Sequence, residues 1–95
     1  MTNKDMQAVF AKYGSRVRSI RSSYYVFQIN QTTRNIPLVK HTDITFETIG
    51  SEDFFIIPQW DIQNHKTFSA VIKTSEVAGF YIVDDNSDYL DPYIA

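Results

Sequence analysis

The sequence predicts an α+β fold: an N-terminal helix packed on a strongly bent, mainly antiparallel sheet of five to six strands, or on a partly closed small barrel. Two patterns support this: a helical period near the N-terminus, and short alternating runs separated by turn signals about every 8–12 residues. The chain is also 43% hydrophobic and 15% aromatic, which favours a folded domain over a disordered one. We expect one domain over residues 1–95, divided into a helical segment 1–14, a β-rich core 15–84 and an acidic aromatic tail 85–95.

The first segment has the pattern of a capped amphipathic helix. Thr2 and Asp5 have the spacing of a capping box, in which each side chain accepts a hydrogen bond from the other residue's backbone. Apolar residues then follow at helical spacing, at Met6, Val9, Phe10 and Tyr13. Gly14 predicts the end of the helix, because glycine adopts positive φ at little cost. A longer helix is the alternative, since Val17, Ile20 and Tyr24 continue the stripe.

From Ser23 onward the apolar period becomes two, which is typical of strands. The densest β-forming run is Tyr24 to Ile29, and we place the organising strand there. Pro58 is expected to end the strand that precedes it, since proline removes a ladder donor. The predicted strands, all in one sheet, cover residues 23–30, 36–48 with a bend or bulge, 53–57, 66–73 and 79–84. The predicted core comprises Met6, Val9, Phe10, Phe27, Ile29, Leu38, Ile44, Phe46, Phe55, Ile57, Phe68, Ala70, Ile72, Phe80 and Ile82.

The residues that carry common catalytic chemistries are scarce. The chain has no cysteine and two histidines, and it contains no nucleophile elbow, P-loop or glycine-rich dinucleotide turn. His41 with Asp43, and Asp61 with His65, lack a specific metal-binding spacing. We therefore expect no enzyme activity, no cofactor and no metal site. The absence of cysteine and of a long apolar run predicts a cytoplasmic protein without a membrane partner.

Charge is divided unevenly along the chain. Residues 1–42 contain seven Lys or Arg and one acid, whereas residues 43–95 contain two Lys and ten acids. Such asymmetry points to an interaction surface. The alternative is that the two halves face each other and neutralise by cross-strand pairs.

The acidic half predicts a protein-binding function. Carboxylates gathered on one face would suit a basic groove on a partner, as in an inhibitor of a nucleic-acid-processing enzyme, and aromatic residues among them would supply apolar anchors. Small accessory proteins of phages or mobile elements have this kind of size and composition, and a homodimer is a further possibility. The predicted contact residues are Glu47, Glu52, Asp53, Asp61, Asp84, Asp85, Asp88, Tyr89, Leu90, Asp91 and Tyr93.

The basic half supports a second hypothesis, in which the protein binds nucleic acid. Proteins that bind single-stranded nucleic acid place cations that pair with phosphates beside aromatic rings on which bases stack, and this half of the chain contains both. These residues, which we call the basic comb, are Lys12, Arg16, Arg18, Arg21, Tyr24 and Tyr25. A sequence pI of about 5.5 argues against it, because autonomous nucleic-acid-binding domains are usually basic.

Overall fold

The computed structural model describes residues 1–32 and 36–84, which form an α+β domain of one helix and two three-stranded antiparallel sheets. The first sheet has the order β2-β1-β6 and the second the order β3-β4-β5. Short 3-10 turns occupy Gly14–Arg16, His41–Asp43 and Thr74–Glu76. The elements are α1 Asn3–Tyr13, β1 Val17–Ser22, β2 Val26–Gln28, β3 Thr45–Ile49, β4 Glu52–Asp61, β5 Lys66–Lys73 and β6 Val77–Ile82.

The predicted single sheet of five to six strands and the partly closed barrel are not confirmed. After β5 the chain turns through Thr74–Glu76, and β6 pairs with β1 near the start of the chain instead of extending the second sheet. The strands therefore divide into two open sheets. The pairing that decides this is long-range, which local sequence patterns do not encode.

The predicted N-terminal helix is confirmed and runs from Asn3 to Tyr13, within the predicted segment 1–14. Thr2 caps it: the Asp5 amide donates to Thr2 Oγ1 and the Thr2 amide to Asp5 Oδ2, both at 3.1 Å. That backbone bond from Thr2 is the main reason that the pKa of Asp5 lies below its ordinary value. At the other end, Gly14 takes a φ of 54° and its amide bonds to the Phe10 carbonyl. The longer helix is therefore wrong.

In the first sheet the central strand is β1, over residues for which we predicted no strand. Ile20 lies between Phe27 of β2 and Phe80 of β6. The Tyr24 to Ile29 run forms only the short edge strand Val26–Gln28, and Tyr24 and Tyr25 lie in the hairpin turn before it. β1 alternates only weakly between apolar and polar residues, so its sequence pattern does not mark it as a strand. It is a central strand because β2 and β6 pair with its two edges.

The second sheet is built around a β4 that is longer than predicted. Pairing with β5 runs through Pro58, which lies opposite Ser69, as far as Asp61 opposite Lys66. The expectation that Pro58 ends this strand is wrong. Pairing between β3 and β4 stops at Ile56, so Pro58 has only β5 as a neighbouring strand. Proline lacks an amide hydrogen, but no hydrogen bond to β3 is lost at this position. β5 matches the predicted 66–73, whereas residues 36–44 form no extended strand.

The core lies between the helix and the inner faces of the two sheets. Phe55 of β4 is fully buried and meets Phe27 of β2 edge-to-face, with ring centroids 6.1 Å apart. Phe68 is wrongly predicted as core: it is 52% exposed on the part of the β4–β5 hairpin that extends past β3. The buried apolar residues are Met6, Phe10, Val17, Ile20, Phe27, Ile29, Ile44, Phe55, Ile57 and Val77, of which Val17, Ile20 and Val77 were not predicted.

Candidate interaction surfaces

The outer face of the second sheet is apolar at its centre and charged at its sides. Strand alternation places Phe54 and Ile56 of β4 on this face, opposite the buried Phe55 and Ile57. Across the sheet, Glu47 and Lys73 flank Phe54. We call this the second-sheet face, and define it by Glu47, Ile49, Glu52, Phe54, Ile56, Val71 and Lys73.

Two aliphatic side chains on the second-sheet face are more than half exposed. Ile49 is 54% exposed and Val71 is 52% exposed, while Phe54 and Ile56 between them are partly buried. An exposed group of large apolar side chains with a polar border is the usual anatomy of a protein contact surface.

Two of the predicted acidic contact residues meet on this face. Glu47 lies opposite Phe54 and Glu52 opposite Ile49, so the two glutamates are diagonal neighbours, about 7–8 Å apart in a regular ladder. Both are exposed. The second-sheet face therefore has an acidic edge beside its apolar centre.

The other described acids are placed elsewhere. Asp53 points to the inner side, where its carboxylate accepts hydrogen bonds from the Asn3 amide at 2.8 Å and the Thr48 hydroxyl at 3.0 Å. Asp61 ends β4, about 30 Å along the strand from Glu52. Its carboxylate accepts bonds from Asn64, whose side chain is the main reason that the pKa of Asp61 lies below its ordinary value.

Exposed Asp84 ends the described chain beyond the first sheet, so it lies outside the second-sheet face. The remaining members of the predicted acidic surface lie outside the described residues: Asp85, Asp88, Tyr89, Leu90, Asp91 and Tyr93.

The basic comb does not form one row of exposed cations. Lys12 Nζ and Arg16 Cζ lie 5.3 and 5.7 Å from the centroid of the Tyr13 ring. Arg16 Nε also donates to the Val83 carbonyl at 2.8 Å. Arg18 is buried, and its Nη1 donates to the Asn30 carbonyl at 2.7 Å. These contacts tie the arginines to the fold of the first sheet.

The remaining arginine belongs to a stacked pair on the outer face of the first sheet. Arg21 Cζ lies 4.2 Å from the centroid of the Tyr81 ring, and Tyr81 is 61% exposed. Arg21 lies opposite Gly79 of β6, so Arg21 and Tyr81 are diagonal neighbours across the β1–β6 ladder. We call this outer face the first-sheet face, and define it by Ser19, Arg21, Val26, Gln28 and Tyr81.

A groove of about 430 Å³ runs along the first-sheet face. Ser19, which lies opposite both Gln28 and Tyr81, lines it together with Arg18 and Val83. Ser19 is only 4% exposed, and its hydroxyl has no hydrogen-bond partner among residues 1–32 and 36–84. Register explains why Arg18 shares this groove: between Val17 and Ser19 the pairing with β6 shifts by one residue, so Arg18 is the extra residue of a bulge.

A larger groove of about 630 Å³ lies next to it and shares Val26, Gln28 and Gln31. Its other walls come from the 36–39 segment and from Trp60 and Thr67 of the β4–β5 hairpin.

The two sheets separate the charges. The strands of the first sheet contain Arg18 and Arg21 and no acid, whereas those of the second contain four acids and two lysines. Across the described strands, therefore, no Lys or Arg of the basic half lies opposite an acid of the acidic half. Tyr81, Ser19 and Gln28 were not predicted as site residues. The outward position of Tyr81 beside the inward Phe80 was the signal available in the sequence.

His41 Nδ1 lies 3.0 Å from Asn30 Oδ1, and residues 1–32 and 36–84 contain no group of three or more potential metal ligands. Within the same ranges no helix is long and apolar enough to cross a membrane.

Comparison with known protein families, curated proteins and solved structures gave no match to this chain.

Proposed function

We propose that the protein is a non-enzymatic protein-binding module whose contact surface is the second-sheet face. The observation that carries this proposal is the exposure of Ile49 and Val71, each more than half open to solvent, beside Phe54 and Ile56. Removing such side chains from water against a partner is favourable by about 25 cal/mol per Å² of apolar surface, a gain that the entropy cost of association partly offsets.

The charges on this face favour a partner with a basic border. Glu47 and Glu52 lie together at one side of the apolar centre, and Lys73 lies at the other. Acidic residues at the edge of an interface raise the association rate toward a basic surface and suppress wrong partners. In its more specific form, the proposal is that the protein inhibits a nucleic-acid-processing enzyme by covering a basic groove, as an accessory protein of a phage or mobile element.

A matched pair of valines tests which face is used. Val71 on the second-sheet face and Val26 on the first-sheet face are both 52% exposed. A charged side chain at either position is therefore expected to perturb folding to a similar, small extent. Val71→Glu should abolish capture of a partner from a lysate of the native host, whereas Val26→Glu should retain it.

The captured protein, once identified and purified, allows a direct measurement. Calorimetric titration should give binding to the wild-type chain and to Val26→Glu, and at least ten-fold weaker binding to Val71→Glu. Glu47→Lys combined with Glu52→Lys should slow association, with an effect that shrinks as salt rises. Equal binding by Val71→Glu and the wild type would refute the proposed surface.

A further inference from the structure

We propose that the first-sheet face is a second, independent site that binds single-stranded nucleic acid. A base would stack at the Arg21–Tyr81 pair while the Arg21 and Arg16 guanidinium groups neutralise neighbouring phosphates. This site lies on the opposite sheet from the proposed protein-binding surface, so the two proposals succeed or fail separately.

The Arg21–Tyr81 pair supplies the stacking surface. The guanidinium lies 4.2 Å from the ring centroid, yet 61% of Tyr81 stays exposed. Aromatic rings and guanidinium planes on an open sheet face are the groups on which proteins stack unpaired bases. Tyr24, 82% exposed in the β1–β2 turn, offers a second ring at the end of β1 that carries Arg21.

Charge decides the chemistry of the ligand. The strands of the first sheet contain Arg18 and Arg21 and no acid. Arg18 is buried and bonded to the Asn30 carbonyl, so Arg21 is the cation of these strands that a phosphate can reach. Arg16 adds a second guanidinium through its bond to the carbonyl of Val83, which lines the groove. Arg21 and Arg16 favour a ligand that carries a phosphate beside its base, although exposed Asp84 follows Val83 and the whole chain has a net charge of −2.

The groove supplies hydrogen bonds for the edge of a base. The Ser19 hydroxyl is 4% exposed and without a partner among the described residues, and the exposed Gln28 side chain lies opposite it. A buried hydroxyl that lacks a partner is costly, so a ligand that bonds to it gains affinity. A protein partner is less favoured here, because Val26 is flanked by the polar Ser19 and Gln28 and by Arg21.

A single strand fits better than a duplex. Stacking on Tyr81 requires an unpaired base whose face is accessible, whereas a double helix hides its base faces within the stack. The groove of about 430 Å³ lies in the size range of small-molecule sites, which suits a single base.

The test is fluorescence anisotropy of labelled oligothymidylate and oligouridylate, titrated with the full-length chain at several salt concentrations. Binding should weaken with salt, with a slope of about −0.7 in log–log form for each phosphate contacted. Tyr81→Ser should weaken binding about ten-fold or more through lost stacking. Arg21→Gln should both weaken binding and reduce the salt slope by about 0.7.

The same two valine variants serve as controls. Val26→Glu places an acid opposite Arg21 and should weaken oligonucleotide binding, whereas Val71→Glu should leave it unchanged. Circular dichroism of each variant shows whether it is folded, and Tyr81→Phe, which keeps the ring, should restore most of the affinity that Tyr81→Ser loses.

The proposal is overturned if neither oligonucleotide binds with a salt-dependent affinity. It is also overturned if folded Tyr81→Ser and Arg21→Gln bind like the wild type, or if a labelled duplex binds as tightly as the single strand. Loss of captured protein in Val26→Glu, with no oligonucleotide binding by the wild type, would assign this face to a protein instead.

Discussion

Phe55→Ala tests whether the two sheets share the core described above. Phe55 is fully buried on β4, lies between Phe46 and Ile72 across the sheet, and meets Phe27 of the first sheet edge-to-face. Truncating such a residue loses apolar burial, leaves a cavity and removes an aromatic pair, for a loss of about 3–5 kcal/mol in the free energy of unfolding. That is a large share of the ~5–15 kcal/mol that stabilises a typical domain.

Urea denaturation followed by circular dichroism measures this loss. With a urea m-value of ~1.5 kcal/mol/M, the midpoint should fall by about 2–3 M. The matched control is Phe54→Ala, the adjacent phenylalanine on the partly exposed outer face, which should cost about 1–2 kcal/mol. If Phe55→Ala does not fold, the milder Ile57→Val provides the measurement, with a loss of about 0.5–1.5 kcal/mol. A loss below about 1 kcal/mol for Phe55→Ala, or equal losses for the two phenylalanines, would refute a core shared by the two sheets.

Three further predictions concern the backbone, pH and the C-terminus. Gly14→Ala should lower the free energy of unfolding, measured by chemical denaturation, by about 1–3 kcal/mol because φ is 54° there. Gly79→Ala should lower it by less, because φ is not positive there and an added methyl meets nothing. Asn64 lowers the pKa of Asp61 in the folded state, so the contribution of Asp61 to stability is present above pH 3.8, the ordinary pKa, and is lost as the pH falls below it. Asp61→Ala should therefore reduce the acid sensitivity of the melting temperature. An unchanged pH profile of the melting temperature would contradict this. Deleting residues 88–95, which lie outside the described residues, should change the melting temperature, the sedimentation coefficient or partner capture, and a chain unchanged in all three would show that the predicted tail contact does not exist.

Local patterns alone determined several elements of this protein. The helix follows from the Thr2–Asp5 box, the spacing of Met6 and Phe10, and a glycine at the end, all of which act within a few residues. Strand β5 and the Asn64–His65 turn before it were likewise predictable from alternation bounded by turn residues. The uneven distribution of charge was also visible in the sequence, as was the exclusion of cysteine chemistry.

Tertiary structure decided what those patterns left open. β1 is a central strand only because β2 and β6 pair with both of its edges, and β6 comes from the far end of the chain. The same pairing brings Tyr81 within 4.2 Å of Arg21 and buries Arg18 and Ser19. The β3–β4 register, in turn, determines which acids share a face, because it brings Glu47 and Glu52 together while Asp61 lies at the other end of β4. Strand propensity and alternation specify which residues lie on the same side of one strand. Which strand pairs with it depends on the burial of apolar residues over the whole chain. The contact surfaces therefore depend on long-range packing.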